Sequence, residues 1–204
     1  MNTKEAIQEI RKFWNTEEEP FLFGESDNSA HIDRIEKEFG VILPEELKDY
    51  IANYAPAEGF YFTSVGNPIY IYGVDNLKYI QDGYNYNSLT KSDIEDWNRN
   101  SFIFGDEGAD PLIVNLENIE AGIDRLEHGA GSWDYGDKLA DNFAQFLLCA
   151  AAQHHALTNF EEDPIIDDEN GFNLTEDAAK WYFPKMKNWA GEYYEVWCAP
   201  LDNH

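Results

Sequence analysis

The side chains of this sequence that are able to do chemistry are five histidines, two cysteines and an excess of carboxylates. His154 and His155 are adjacent, so on a helix they diverge by about 100° and do not converge on one metal ion. The other histidines are scattered, at His31, His128 and His204. Cys149 lies in an apolar, alanine-rich segment, where a cysteine packs as a small hydrophobic side chain. We therefore predict neither a metal site nor a cofactor.

The carboxylates offer one further chemical interpretation. Asp106 and Asp110 flank a glycine-containing segment, and two such acids can serve as general acid and general base. The signal is weak, because carboxylate pairs are frequent in an acidic chain and aspartates commonly cap turns. Together with Glu107 between them, the same acids would repel a phosphate group. A small hydrolase using these acids is the weakest function hypothesis, and we predict that the protein is not an enzyme.

The charge balance limits the kinds of partner that the protein can bind. Lysine and arginine number 14 and aspartate and glutamate 40, so the formal net charge is 14 − 40 = −26. Such a charge repels nucleic acids and anionic membranes and attracts basic proteins. A generally acidic or salt-adapted proteome explains the charge equally well on its own. The sequence contains no basic stripe, so a nucleic-acid partner is not expected.

The composition predicts a cytoplasmic protein. Residues 1–13 lack the apolar core of a signal peptide, and the longest apolar run, residues 146–152, is too short to cross a bilayer. Two cysteines do not make a disulfide framework, which favours a reducing compartment. With 43% hydrophobic residues in 204, the chain is long enough to bury a sizeable core.

Aromatic side chains near the acids are of the types that anchor protein interfaces. Trp97 and Trp133 fall in polar segments that we interpret as loops, amid carboxylates suited to pair with lysine or arginine of a partner. Each tryptophan taken singly is equally well explained as a cover for a sheet. We predict partner-binding residues on loops at one end of a sheet, namely Asp106, Glu107, Asp110, Trp97 and Trp133.

Hydrophobic periodicity predicts the elements that would position these side chains. Apolar residues at helical spacing indicate helices over residues 3–14 and 139–153. Aromatic and β-branched runs indicate two strand pairs, residues 60–62 with 69–72 and residues 101–104 with 112–116. Weaker strand signals occupy residues 122–126 and 131–135.

Residues 32–54 predict two helices joined by a sharp turn. Ile35 and Phe39 belong to an apolar stripe, and Gly40 follows them, a residue that closes a helix in the left-handed conformation without steric cost. Pro44 suits the first turn of a second helix, where the two glutamates after it meet the positive end of the helix dipole. We interpret this stretch as two helices facing one core.

We divide the chain into a first domain, residues 1–156, and a C-terminal helical extension packed on the same domain, residues 157–204. The composition becomes acidic around residues 161–169, which we interpret as a solvated loop. Thr175 would cap a helix that Pro184 ends or kinks. The aromatic residues near the end of the extension would form an edge strand.

Three blocks of this sequence resemble the SUKH superfamily, which includes the fungal Smi/Knr cell-wall-assembly regulators. The first block is Ile35-Glu36-x-x-Phe39-Gly40-Val41-x-Leu43-Pro44-x-x-Leu47-x-x-Tyr50. The others are Phe104-Gly105-Asp106-x-Gly108-x-Asp110-Pro111 and Leu139-Ala140-Asp141-x-Phe143-x-x-Phe146-Leu147. Their order and approximate spacing agree with the family, and together they span roughly residues 32–154. The chain departs from the family at Tyr54-Ala55-Pro56, where Asn-Gly is frequent, and at Asn115, where aspartate is frequent.

The resemblance implies an α+β fold, with a curved, mostly antiparallel sheet and helices packed against it, and it implies no catalysis. Bacterial members are similar to immunity proteins, which bind and neutralise polymorphic toxins, often nucleases or deaminases. Fungal members act as intracellular regulators and scaffolds. We therefore expect an immunity protein for a cognate toxin domain with a basic surface, such as a nuclease. The alternative is a non-enzymatic scaffold or regulatory protein-binding module of the Smi/Knr type, and the oligomeric state stays open.

Overall fold

The computed structural model has an α+β architecture, in which helices pack against a six-stranded antiparallel sheet, and it confirms the predicted fold class. It describes residues 1–204 other than 16, 18, 25, 78–82, 99, 161–162 and 170, and leaves aside the side chains of residues 39 and 119. The helices of this part are α1 (Thr3–Phe13), α2 (Ser29–Phe39), α3 (Glu45–Asn53), α4 (Phe143–Thr158), α5 (Glu176–Trp189) and α6 (Tyr194–Cys198). Its strands are β1 (Phe60–Phe62), β2 (Ile69–Ile71), β3 (Tyr86–Asn87), β4 (Ser92–Asp93), β5 (Ser101–Glu107), β6 (Asp110–Asn115), β7 (Ile123–Leu126), β8 (Gly136–Ala140), β9 (Ile165–Asp168) and β10 (Gly171–Leu174).

The six-stranded sheet has the order β1-β2-β5-β6-β7-β8, and every neighbouring pair is antiparallel. Side chains alternate between the two faces of such a sheet. Phe60 and Phe62 are buried on the face toward α4, where the Phe62 ring lies 6.1 Å from the His154 ring. Tyr61 between them is exposed on the opposite face. Bulges in β5 and β8 bend the open sheet.

Helix α4 forms the centre of the core and is buried around most of its circumference, because other elements surround it. Phe146 packs edge-to-face on Phe104 of the sheet at 5.4 Å, and α1, α3 and α5 also contact the helix. The predicted helix start at residue 139 is wrong, since that residue lies in β8. Asn142 caps the helix by accepting a hydrogen bond from the Gln145 N–H at 2.9 Å.

The turn between α2 and α3 forms as predicted. Gly40 ends α2 with φ +65°, the left-handed conformation that favours glycine. Glu36 adds an interaction that the sequence pattern did not reveal: its carboxylate accepts the Leu43 N–H at 2.8 Å and pairs with Lys48 at 3.1 Å. Ile35, which we placed in the apolar stripe of α2, is fully buried. The side chain of Phe39 lies outside the described residues.

The β-structure departs from the prediction in three places, the first being the β3–β4 pair, which lies in a polar segment that we interpreted as a loop. Residues 131–135 form a turn rather than a strand, and β8 begins after them at Gly136 and pairs with β7. Residues 165–174 form the β9–β10 hairpin instead of a solvated loop, while residues 161, 162 and 170 lie outside the described residues. The hairpin is held from outside, since the Phe172 N–H donates to the Asp202 carboxylate at 2.7 Å.

The end of the chain is helical where we expected a broken helix and a strand. Helix α5 continues through Pro184, whose cost of about 3 kcal/mol is offset by the burial of Tyr182 and Met186. The predicted edge strand is wrong, because the residues there form a 3-10 turn and α6. Trp197 of α6 is buried, and its Nε1–H donates to the Leu139 carbonyl at 2.9 Å. In the part of the chain that the structure describes, no helix is sufficiently long and apolar to cross a bilayer.

Candidate functional site

The three acidic site residues lie on the β5–β6 hairpin, in strands rather than in a loop. Asp106 and Glu107 end β5, and Asp110 begins β6. The hairpin turns on Gly108 and Ala109, whose φ angles are +62° and +80°. Two residues with positive φ form a tight turn whose twist matches that of antiparallel strands. The turn therefore takes only two residues, and the residues on either side of it, which we predicted as a loop, extend β5 and β6. The carboxylates are therefore held on a backbone of fixed geometry.

Asp106 faces the side of the sheet away from α4. It lies opposite Tyr70 of β2 in register, and its carboxylate accepts a hydrogen bond from the Tyr72 hydroxyl at 2.6 Å. Burial raises the pKa of Tyr72, and the bond to Asp106 raises it further. The Tyr72 phenol therefore remains a hydrogen-bond donor, and the half-buried Asp106 is held in one orientation.

Glu107 takes part in an ion-pair network at the end of the sheet. The Arg125 guanidinium donates to Glu107 at 2.5 Å and to Asp137 at 2.8 Å. The Ser64 hydroxyl donates to the other Glu107 oxygen at 3.2 Å. Only 14% of the Glu107 side chain is exposed, so its charge is largely neutralised within the protein.

Asp110 joins the hairpin to the loop after β7. One oxygen of its carboxylate accepts hydrogen bonds from the backbone N–H and the ring Nδ1 of His128, both at 2.8 Å. Glu107 and Asp110 are opposite each other in register, so they share a face of the hairpin, whereas alternation puts Asp106 on the other face. Asp106 and Asp110 are thus not arranged as a facing acid–base pair.

The two tryptophans lie in one aromatic cluster with Tyr84. The rings of Trp97 and Trp133 are 5.1 Å apart, and the Tyr84 ring lies 5.5 Å from Trp97 and 5.7 Å from Trp133. Trp97 is only 5% exposed, whereas Trp133 and Tyr84 are half-buried. The ring of Trp133 is therefore the more accessible of the two tryptophans.

Tyr84 connects this cluster to the acidic hairpin. Its hydroxyl donates to the Ala109 carbonyl at 3.1 Å. Burial, followed by the charges of Asp106 and Asp110, raises the pKa of Tyr84 to about 12. The structure thus brings the predicted tryptophans and the acidic hairpin together in one region of the surface. Tyr84, which is not among the predicted partner-binding residues, contacts both.

A row of tyrosines next to Asp106 was missed by the sequence reasoning. Tyr61 and Tyr70 are opposite each other in register, with ring centres 4.4 Å apart and planes at 26°. Tyr72 meets Tyr70 edge-on at 5.2 Å. The signal was present in the alternation of FYF and IYIY, which puts the tyrosines on one face and the phenylalanines and isoleucines on the other.

The remaining reactive groups serve packing. His154 accepts the Thr63 N–H on Nδ1 at 3.0 Å and lies 3.0 Å from the Glu19 carboxylate through Nε2. Burial lowers the pKa of His154, although Glu19 opposes this. Cys149 is fully buried, and burial raises the pKa of its thiol. No group of three histidine, cysteine or carboxylate side chains capable of holding a metal ion occurs among the described residues.

Comparison with known proteins matches the middle of the chain to one family. A sequence model of the SMI1/KNR4 family (SUKH-1) matches residues 28–149. The match begins immediately before α2 and ends within α4, so it includes the α2–α3 turn and the whole six-stranded sheet. Helix α1 and the elements after α4 lie outside it. No curated protein is similar to the chain.

Proposed function

We propose, from the premise that this chain belongs to the SMI1/KNR4 family (SUKH-1), that it is a bacterial immunity protein for a cognate toxin domain with a basic surface. Domains of this family are generally non-catalytic immunity or scaffold proteins. The observation that carries the proposal is the net charge of −26 on such a domain. A nuclease toxin must hold phosphate groups with cationic side chains, and an acidic protein can cover those side chains.

The charge would act mainly on the rate and specificity of binding. A strongly acidic surface attracts a basic protein over several ångströms and raises the association rate, and this effect falls with ionic strength. The final affinity depends instead on a few well-packed contacts. We therefore assign separate roles to the overall charge and to the residues near the hairpin.

Within this proposal the partner contacts centre on the β5–β6 hairpin and the aromatic cluster. Asp106 and Asp110 supply carboxylates in fixed orientations, and Trp133 supplies a partly exposed ring. Trp97 is buried beneath that ring and supports it. Glu107 holds the strand end through Arg125, so its contribution is to the shape of the hairpin.

Co-expression with the product of the adjacent upstream gene tests the proposal. We expect the chain to restore growth in cells that produce a toxic neighbour and to co-purify with it as a complex that weakens in high salt. The Trp133→Ala variant should weaken the complex, and Tyr135→Ala, which changes another exposed aromatic residue of the same loop, is the matched control. Failure both to rescue growth and to co-purify would exclude the immunity function.

A scaffold or regulatory module of the Smi/Knr type remains the second candidate, because membership of the family supports it equally. It predicts a gene with no toxin beside it and a defined cellular protein as partner. A neighbouring gene whose product does not inhibit growth would favour this candidate.

A further inference from the structure

Tyr61 of β1, Tyr70 of β2 and Tyr72 just after β2 form a preorganised surface, which we call the tyrosine strip; Tyr61 is exposed and the other two are half-buried. Their rings are in continuous contact, at 4.4 Å and then at 5.2 Å between centres. The last hydroxyl of the row donates to Asp106. Each ring is thus fixed by its neighbour, and little side-chain entropy would be lost if a ligand bound there.

The backbone beneath the strip is adapted to these rings. A Cβ atom at Gly59 would lie 2.2 Å from the Tyr70 hydroxyl oxygen, so only glycine leaves room for this ring. Tyr61, by contrast, is 59% exposed and stacks on Tyr70 with one face only. A large aromatic face is therefore presented to solvent on a rigid strand, opposite the buried Phe60 and Phe62.

The electrostatic surroundings of the strip are acidic. Residues 49–77 contain no lysine or arginine. Burial raises the pKa of Tyr70, and the charges of Asp106 and Glu58 add to this, so both carboxylates act on its phenol. Glu58 is exposed beside β1. The strip thus combines aromatic faces with flanking carboxylates, the chemistry that binds an organic cation.

We propose that the tyrosine strip docks an arginine side chain of a basic protein partner, with the guanidinium stacked on the open face of Tyr61 at the sheet edge and paired with Glu58, three residues earlier in the chain. Arginine fits better than lysine, because the guanidinium is planar, stacks on aromatic faces and pairs with carboxylates. The identity of the partner rests on the proposed function, whereas the preference for a guanidinium rests on the strip alone. A stacked contact of this kind changes the dissociation constant by about 3- to 30-fold.

The strip can be tested without the partner, by NMR of the full chain labelled with ¹³C in its tyrosine rings. N-acetyl-arginine amide is titrated in low salt, and N-acetyl-lysine amide is the matched ligand. Tyr135 is the internal control, since it is 58% exposed and lies outside the strip. We expect larger shifts of the Tyr61 ring signals per unit of added arginine compound than per unit of lysine compound, and larger shifts at Tyr61 than at Tyr135. Equal shifts at Tyr61 and Tyr135, or equal effects of the two compounds, would overturn the proposal.

A second arm uses the toxin complex and separates the two proposals. Tyr61→Ala should raise the dissociation constant at least threefold, whereas Tyr61→Phe, which keeps the ring, and Tyr135→Ala should leave it unchanged. A complex that forms equally well with Tyr61→Ala would refute the strip and leave the immunity function standing. If no toxin binds, the immunity function fails, and the ring shifts alone decide whether the strip binds a guanidinium.

Discussion

Replacing Glu46 with alanine tests whether one carboxylate joins α3 to the central helix. Glu46 lies in the first turn of α3 and accepts hydrogen bonds from the N–H groups of Phe143 at 3.2 Å and Ala144 at 2.9 Å, the first two residues of α4. Asn142 accepts the next N–H, that of Gln145. In Glu46→Ala two backbone donors at the start of α4 lose their partner, and an N-terminus without such partners is destabilised.

The size of the effect follows from two opposing contributions. A hydrogen bond to a charged group contributes about 1.5–3 kcal/mol, so two contribute roughly 3–6 kcal/mol. The carboxylate also loses hydration, and this cost is substantial, because burial raises the pKa of Glu46 even though both backbone donors lower it. We expect a net loss of about 2–3 kcal/mol in the free energy of unfolding. For a chain of 204 residues this lowers the Tm by roughly 4–12 °C.

The assay is urea unfolding and calorimetry at pH 7, with Glu45→Ala as the matched control. Glu45 precedes Glu46 in the same helical turn, its side chain is 92% exposed, and it pairs with Lys48 at the surface. The control removes the same charge near the same helix dipole and should cost less than about 0.5 kcal/mol. Equal losses in the two variants would show that helix propensity and charge, rather than the bonds to α4, explain the effect.

Three further predictions concern the backbone and the buried histidines. Gly40→Val should lower the free energy of unfolding by about 1–2 kcal/mol without changing partner affinity, because φ is +65° there; an unchanged Tm would contradict the proposed helix end. Ala109→Gly should raise the Tm slightly, by relieving a φ of +80° at a net gain of about 0.5–1 kcal/mol; a lower Tm would refute this. Burial lowers the pKa of His154 and, to about 4, of His155, so these two side chains hold fewer protons in the folded state than in the unfolded state below pH 6.5. The contribution of the two histidines to stability should therefore fall from pH 6.5 to 4, and His155→Phe should make the stability measured by calorimetry fall less, or rise more, over this range; an unchanged slope would exclude His155 as a source.

Local features of the fold could be predicted because neighbouring residues determine them. Gly40 closes α2, and the residues around Pro44 start α3, since both conformations follow from the backbone of one or two residues. The strands β1 and β2 were likewise visible as short aromatic and β-branched runs. The start of α4 was misplaced because residue 139 fits a helical pattern and a strand equally well, and pairing with β7 decides between them.

The candidate site could be predicted only as a set of residue types. Acids near aromatic residues were visible, but burial of Trp97 and the pairing of Glu107 with Arg125 depend on contacts over distances of 18 residues or more. The site residues named from the sequence therefore stay predictions about partner binding. Tyr61 was overlooked because the aromatic and β-branched residues of this strand pair were interpreted as a whole, without assigning alternate side chains to the two faces of the sheet.

The sequence alone determined the α2–α3 turn and the charge of −26, and its resemblance to the SUKH superfamily implied the family and the α+β class that were then found. The turn and the charge depend on single-residue backbone preferences and on composition, which are local or additive, whereas the fold class was implied by the family resemblance. The tertiary structure decided which acids are neutralised by internal partners and which aromatic rings remain exposed. The pairing of acids and the exposure of rings depend on strand register and on which loops pack over the sheet. Both result from contacts between residues far apart in the chain.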